Sequence, residues 1–402
     1  MHTIKGVKIP IQSSNELDTL LRSYRKGKNL FVEKLLISKK TSLSGVNSFR
    51  QEVRKQTGLS GGNSVLCSRD ALGIYRSYRK KKKNTSAPDV KQLSMSVSLG
   101  YNGKLEKNRL RITVSPRKYV YVSLEMSEYH QQFLSLVNQG LLCLGEILVT
   151  PTHCIFTIKK EYTPYTPKGI LTLDINEQSI VGLALLEDRV EIMAWSLERV
   201  YDLNCKYFEM ARNLQRRYPS DTGLHKRVLS HWYKNRKHRV EATLHESLNA
   251  IISYAKEKEL IIVHEELKNI KESINKRVIK KNIYNGQMLP HRKLPRKILG
   301  RLNRAVFRKV QWMLDYKAEW ENIPYTYVSA WNNSQMCPIC GGKNKSAEWH
   351  TFQCSCGSTA NRHLNACLNI AKKYENERLR LSLDRSAMNY IMEVSTSVPK
   401  PH

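Results

Sequence analysis

The chain has 402 residues, enough for two to four domains and a sizeable core. Sixty-seven Lys and Arg face 35 Asp and Glu, a formal net charge of +32, so the expected partner is a polyanion, and nucleic acid above all, because phosphate contacts use many cations at once. No apolar run approaches the roughly 20 residues of a spanning helix, and Met1-His2-Thr3-Ile4-Lys5 lacks the apolar core of a signal peptide. The chain therefore reads as cytoplasmic, with no membrane partner.

In chain order, residues 1–12 alternate weakly and predict a short strand. From Asn15 to about Ile37, Leu17, Leu20, Leu21, Tyr24, Leu30 and Leu35 keep helical spacing. A second helix is predicted from Ser64 to Lys83, ending in a run of cations, Arg79-Lys80-Lys81-Lys82-Lys83. Tyr75 and Tyr78 interleave there with Arg76 and Arg79, the mixture that stacking on unpaired bases uses. Residues 84–88 read as a linker. Strands follow at Leu93–Leu99, Leu110–Val114, Tyr119–Leu124, Glu146–Val149 and Cys154–Ile158, separated by turn residues as in a small barrel and interrupted by helical residues Gln131–Val137. Pro164 and Pro167 close that region.

From residue 169 the pattern is mixed α/β. Gly169–Leu173 is a short apolar strand ending on Asp174, and Ile180–Leu186 and Val190–Trp195 are the next strands. A long helical stretch starts near Asn204. Within it Leu244, Leu248, Ile251, Ile252 and Ala255 predict a core-facing helix. Leu260–Val263 is a buried strand running into His264-Glu265-Glu266-Leu267. Val306, Val310, Met313 and Leu314 mark another amphipathic helix, and Tyr325–Val328 a strand. No internal repeat is found.

Nine cysteines could suggest disulfides, but four cluster as Cys337-Pro338-Ile339-Cys340 and Cys354-Ser355-Cys356, each pair followed by glycine. Two residues between thiolates let both reach one tetrahedral ion. The second pair has one intervening residue and still offers two sulfurs. Structural Zn2+ held by Cys337, Cys340, Cys354 and Cys356 is expected, with His350 as a spare ligand. Cys67, Cys143, Cys154, Cys205 and Cys367 are scattered and read as core residues.

Asp174 and Glu265 stand at the ends of two buried strands, where a carboxylate is costly unless it binds something. Converging carboxylates are what Mg2+ requires, since it is hard and strongly hydrated. Metal-dependent nucleases use such acids to hold the ions that activate water and stabilise the leaving oxygen. Glu266, the neighbour of Glu265, points to the other face if the strand continues.

In this order the features resemble the TnpB (OrfB) family of insertion-sequence proteins, relatives of the compact type V CRISPR effectors. Asp174 matches the first RuvC acid, and Glu265-Glu266-Leu267 resembles the second motif. Tyr316-Lys317-Ala318-Glu319 resembles the helix before the knuckle. Asn333-Ser334-Gln335-Met336-Cys337-Pro338 resembles the entry to it, and Asn365-Ala366-Cys367-Leu368-Asn369-Ile370 the helix that closes it. The match covers about residues 165–372; the N-terminal part fits in architecture alone.

The resemblance implies an α+β multidomain protein. Residues 1–12 would be the first strand of a wedge domain, 13–87 a helical recognition lobe and 88–168 a wedge β-barrel. Residues 169–332 would form a RuvC (RNase H-like) domain, 333–358 the inserted zinc knuckle, and 359–402 the closing helix and tail. It also implies a guide RNA and a target double-stranded DNA as partners, with base pairing reading sequence. Arg76, Arg79, Lys80, Lys81, Arg236, Arg239, Arg292 and Arg296 are the candidate nucleic-acid-binding residues, set in the basic stretches 212–217, 234–239, 276–281 and 291–297.

One departure stands out. The family carries its third acid just before the closing helix, where this chain reads Asn361-Arg362-His363-Leu364-Asn365. Asn361 keeps an oxygen without the charge. His363 offers a nitrogen suited to later transition metals, or a general base. The expected consequence is DNA binding with weak or absent cleavage. The alternatives are an active Mg2+-dependent endonuclease with a rearranged site, in which Glu375, Glu377 or Asp384 could stand in, a strand-joining transposase, and a zinc-bearing RNA-binding protein.

Overall fold

Alternation at the start of the chain becomes a strand that buries Thr3, Val7 and Ile9 on one face. The computed structural model describes residues 2–81, 86–267, 270–281, 287–292, 294–346, 348 and 350–378. It divides into two compact units at Tyr162/Thr163. The first contains β1 (His2–Pro10), α1 (Asn15–Ser38), α2 (Leu43–Asn47), α3 (Arg50–Thr57), α4 (Gly61–Lys80), β2 (Met95–Val97), β3 (Gly103–Glu106), β4 (Arg109–Ser115), β5 (Lys118–Ser123), α5 (Glu128–Asn138), β6 (Cys143–Val149) and β7 (His153–Glu161).

Ser14 caps α1 by accepting the Leu17 N–H at 3.2 Å. Leu17, Leu20, Leu21, Tyr24, Phe31 and Leu35 then form its buried face. Gly27 lets α4 approach: a Cβ there would lie 3.0 Å from Cys67 Sγ. Lys28 is buried and donates to the Ser94 carbonyl at 2.8 Å, while Tyr24 donates to Asp70 at 2.9 Å.

The expected barrel is not there. Among the described residues, β1-β7-β6-β2 form one antiparallel sheet and β3-β4-β5 another. Only the isolated bridges Ile11↔Leu124 and Leu99↔Gly103 join them. β2 has three residues, and β6 shifts register against β7 between Leu144 and Ile147, so neither ladder continues far enough to close. Helix α4 begins three residues earlier than its apolar spacing suggested, because Ser60 caps it through the Asn63 N–H. Cys67, Cys154 and Cys367 are core residues as expected; Cys143 is exposed and Cys205 half-buried, both on elements whose other face meets the core.

The second unit contains β8 (Gly169–Ile175), β9 (Ser179–Leu185), β10 (Val190–Ser196), α6 (Glu198–Arg217), α7 (Thr222–Glu257), β11 (Leu260–Glu265), α8 (Ile270–Asn275), β12 (Arg277–Lys281), β13 (Met288–Arg292), α9 (Arg296–Arg304), α10 (Phe307–Trp320), β14 (Tyr325–Val328), β15 (Thr351–Gln353), β16 (Thr359–Asn361) and α11 (Arg362–Arg378). Its main sheet has the order β10-β9-β8-β11-β14. The β10, β9 and β8 ladders are antiparallel, and β8, β11 and β14 are parallel.

All seven residues of β8 and of β9 are buried, because helices cover both faces. Leu171, Leu173, Ile175 and Ile180 pack with Leu244, Leu248 and Ile251 of α7 and with Val310 and Leu314 of α10. On the opposite face Val181, Leu183 and Leu185 meet Leu364, Cys367 and Leu368 of α11. Ile170, Ile261, Val263 and Val328 meet Ile370 and Tyr374 of the same helix. Among the described residues, no helix is long and apolar enough to cross a membrane.

Candidate active site and metal centre

Strand parity decides where the two acids go. Leu171, Leu173 and Ile175 face α7 and α10, so Ile170, Thr172 and Asp174 face α11. On β11, Leu260 and Ile262 face α7 and α10, so Ile261, Val263 and Glu265 share the face of Asp174. The parallel register pairs Val263 with Thr172 and His264 with Leu173. One step further brings Glu265 beside Asp174 on neighbouring strands. Asp174 lies inside β8, one residue short of its end, and Glu265 is the last residue of β11, rather than just beyond it. The strand does not continue to Glu266, whose N–H donates to the Val328 carbonyl at 2.9 Å.

His363 enters from the first turn of α11. Its Nδ1 stands 2.9 Å from Asp174 Oδ2, and Asn176 Nδ2 donates to the same oxygen at 2.8 Å. Asn361 acts on the backbone instead. Its side chain accepts the His363 N–H at 2.9 Å, capping the helix. The cleft between these groups holds about 510 Å³ and is lined by Asp174, Glu265, His350, His363, Arg301 and Arg362. Arg301 pairs with Glu177 at 3.0 Å, and Arg362 donates to Ser334 Oγ at 3.3 Å.

Glu265 is held from several sides. Asn333 Nδ2 donates to its Oε1 at 2.7 Å and to the Ser329 carbonyl at 2.9 Å. Lys373 donates to the Asn333 side-chain oxygen and to the Trp331 carbonyl, the latter at 2.7 Å. Burial and the neighbouring Asp174 charge push the Glu265 carboxyl up to about 7, against the lowering effect of Asn333 and Lys373. Behind the sheet, His264 is fully buried, 3.3 Å from Asp315, and Gln311 donates to the Glu265 carbonyl. The sequence motifs contained Asn333, but its bond to Glu265 spans 68 residues and no local spacing signals it. Lys373, Gln311 and Arg301 carried no signal.

The four cysteines do come together. Cys337, Cys340, Cys354 and Cys356 place their Sγ atoms within 4.8 Å of one another and could hold a metal ion. The Cys337–Cys356 and Cys340–Cys354 sulfurs are 3.7 and 3.4 Å apart. Four thiolates about 2.3 Å from a tetrahedral Zn2+ sit at such separations. The donor set therefore fits zinc. Ser358 Oγ lies 3.1 Å from Cys356 Sγ, and that hydrogen bond brings the Cys356 thiol down to about 6, toward the thiolate a metal needs. Gly342 must be glycine: a Cβ would stand 2.9 Å from Cys354 Sγ. Gly341 and Gly357 turn the chain at positive φ, 74° and 91°. His350 is not a spare ligand. Its ring centroid is 6.1 Å from that of His363, and it lines the acid cleft.

Among the described residues, the cysteines are the one such set of three or more His, Cys, Asp or Glu ligand atoms. Asp174, Glu265 and His363 do not form a second.

The other candidate contacts divide. Arg79, Lys80 and Lys81 are exposed, as are Arg239 and Arg296, and Arg236 is half-buried with its guanidinium 5.8 Å from the Tyr233 ring. Arg76 donates to the Thr41 carbonyl at 2.7 Å and ties a loop to α4. Tyr75 is only 3% exposed, because it follows Ala71 and Leu72 on the core face of α4, so it cannot stack on a base. Lys82, Lys83 and Asp384 lie outside the described residues, as do residues 84–85 and 293, the tail from 379, and the side chains of Glu375, Glu377, Arg292 and residues 280–281.

A family profile described as Cas12f1-like, TNB domain matches residues 307–370, which run from α10 through the cysteine cluster into α11. Two TnpB-like proteins of Methanocaldococcus jannaschii are similar in sequence. One is 27% identical over 293 residues, 71% of this chain and 98% of that protein; the other is 26% identical over 313 residues, 75% of this chain and 64% of that protein. The chain is similar to TnpB-like proteins. Solved structures agree in fold: a Cas12f1–sgRNA–target DNA complex gives a TM-score of 0.58 at 11% identity, covering 89% of this chain and 83% of that one. The mini-RNA-guided endonuclease CRISPR-Cas phi3 gives 0.50 at 12% identity, covering 92% of each. The chain thus shares a mixed α+β multidomain fold with these two structures.

Proposed function

We propose that this chain is an RNA-guided DNA-targeting protein whose DNA cleavage is weak or lost. On this reading residues 169–332 and 359–378 form a RuvC-like domain around the knuckle at 333–358, and the N-terminal unit supplies a recognition lobe and wedge. The carrying observation is the pairing of Asp174 with His363 Nδ1 at 2.9 Å beside Glu265. Two carboxylates stand at neighbouring strand positions, and an imidazole occupies the place of a third. Mg2+, when bound in such a site, supplies activated water and stabilises the leaving oxygen. Here Asp174 holds His363, and Asn333 and Lys373 hold Glu265.

Nucleic-acid binding would survive, because it rests on surface cations. Arg79, Lys80, Lys81, Arg236, Arg239, Arg292 and Arg296 are the proposed backbone contacts, and the net charge of +32 favours both guide RNA and duplex DNA. The test is to purify the protein with the RNA it retains and mix it with matching duplex and Mg2+. Guide-dependent binding without cuts, and cuts gained in His363→Asp, are expected. Cleavage abolished by Asp174→Ala would instead establish the active-endonuclease reading, and failure to retain any discrete RNA would sink both.

A further inference from the structure

The second sheet of the N-terminal unit has two unlike faces. Leu110, Ile112, Val120 and Val122 are buried at 4% exposure or less and face the core. The opposite face carries Tyr119 and Tyr121, 39% and 50% exposed, beside Arg109 and Arg111. The register sets Tyr121 directly opposite Arg111 and Tyr119 opposite Thr113. The two rings project from one face at i and i+2, about 7 Å apart along the strand. The Arg111 guanidinium lies 4.5 Å from the Tyr119 ring centroid.

The charge on this sheet is one-sided. Lys104, Lys107, Arg109, Arg111, Arg117 and Lys118 stand against a single acid, Glu106. Glu106 is shared between Arg111 at 3.6 Å and Lys104 at 3.8 Å. The hairpin tips add an independent sign. Lys107 and Arg117 take positive φ, 47° and 62°, where glycine or asparagine is favoured. Pro116 followed by positive φ is the pattern of a type II turn, whose second central position favours glycine. Both tips thus place a cation in a conformation that disfavours its side chain, and such strain points to a role at the surface.

We infer that the outer face of β3-β4-β5 is a stacking platform for unpaired nucleotides, with Tyr119 and Tyr121 receiving bases and the surrounding cations receiving the phosphates. The inference rests on the reading that this protein handles nucleic acid and adds a site for single strands to it. Aromatic rings spaced along a strand and fringed by cations suit single strands, because every base has a stacking face and duplex bases do not expose theirs. A protein partner would need acidic residues to match this charge, whereas a single strand brings its own phosphates and bases to both the cations and the two exposed rings.

The test is site-resolved cross-linking on the full-length protein. Single-stranded RNA carrying 4-thiouridine and single-stranded DNA carrying 4-thiothymidine are irradiated separately, and the adducts are mapped by mass spectrometry. Adducts at Tyr119 or Tyr121 are expected, and the arm that gives them identifies RNA or DNA as the ligand. Unlabelled single strand should compete them away, while blunt duplex should not. Tyr119→Ala with Tyr121→Ala should lower cross-linking across residues 103–123 at least tenfold. Tyr119→Phe with Tyr121→Phe keeps both rings, and there anisotropy of a labelled single strand should match the parent protein, with circular dichroism reporting that both variants fold. Adducts elsewhere in the chain but none at this sheet would overturn this inference alone, as would equal competition by duplex. Absence of adducts anywhere would overturn the nucleic-acid reading as well.

Discussion

Glu265 ties the second unit to pH. Its carboxyl is raised to about 7 by burial and by Asp174, whereas an unfolded glutamate titrates near about 4.3. The folded state therefore binds the extra proton across that window, so Glu265 favours folding below about 4.3 and loses this contribution as pH rises through about 7. Without added divalent cations, the urea midpoint of the second unit should fall between pH 5 and pH 8, and Glu265→Gln should flatten that fall; an equally steep fall in the variant would exclude Glu265 as its source. Asn333→Ala removes the amide that donates to Glu265 Oε1 and leaves a half-buried acceptor unpaired, a loss of about 1–3 kcal/mol measurable by thermal unfolding. Asn365 and Asn369 both donate to the Asn333 and Met336 carbonyls, so they fix the loop that carries Asn333. The sequence could place Asp174 and Glu265 at the ends of apolar runs because strand cores are local signals. It could not indicate that Asn333 reaches Glu265 or that His363 meets Asp174, since those contacts depend on how α11 lies across the sheet.

At the scale of elements, β8 shows how tightly the sheet is specified. A Cβ on Gly169 would strike the Leu185 carbonyl oxygen of β9 and come 2.8 Å from the Leu260 side chain. Gly169→Ala should destabilise the second unit by at least about 1–3 kcal/mol, the usual cost of overpacking, because a backbone oxygen in a ladder cannot move aside. Denaturant unfolding checks it. Leu368→Ala on α11 should cost about 2–5 kcal/mol, since the side chain is fully buried against β9. Long apolar runs such as β8, β9 and β11 were legible in the sequence, as was β14, whose bounds coincide with the expected Tyr325–Val328. Short elements were not: α2, α3 and β3 have five, eight and four residues, too few for a periodic pattern. The barrel expectation failed for a related reason. Strands can be read one at a time, but closure depends on ladders between distant segments, and β2 and β6 end theirs early.

For the whole molecule, the two compact units predict separable responses to metal loss. Chelation should open the segment around Cys337–Cys356 to proteolysis while leaving residues 2–162 resistant, as Gly342→Val should too, because a side chain there would occupy the space of Cys354 Sγ. Equal loss of resistance in both units would contradict this. Composition was informative at this scale and no finer. A charge of +32 indicates a polyanion, and affinity for any nucleic acid should fall steeply with salt, by decades between 50 and 200 mM as the handful of phosphate contacts grows toward about 6–10. Composition does not say which cations make those contacts. Arg76 sits in a basic run yet serves a backbone carbonyl, while Arg111 sits in a short strand beside two exposed rings.

The complete burial of β8 and β9 also bears on motion. Strands sealed between helices exchange their amide protons only through large-scale opening, so Asp174 is mounted on a stretch that should be among the slowest to exchange. His363 is carried differently, in the first turn of a helix whose start leans on Asn361. Freeing the Asp174 carboxylate therefore means breaking two contacts at its Oδ2, the His363 ring at the start of α11 and the Asn176 amide in the turn after β8. The acid is the fixed jaw of this cleft, and both groups that close on it sit outside the sealed strands.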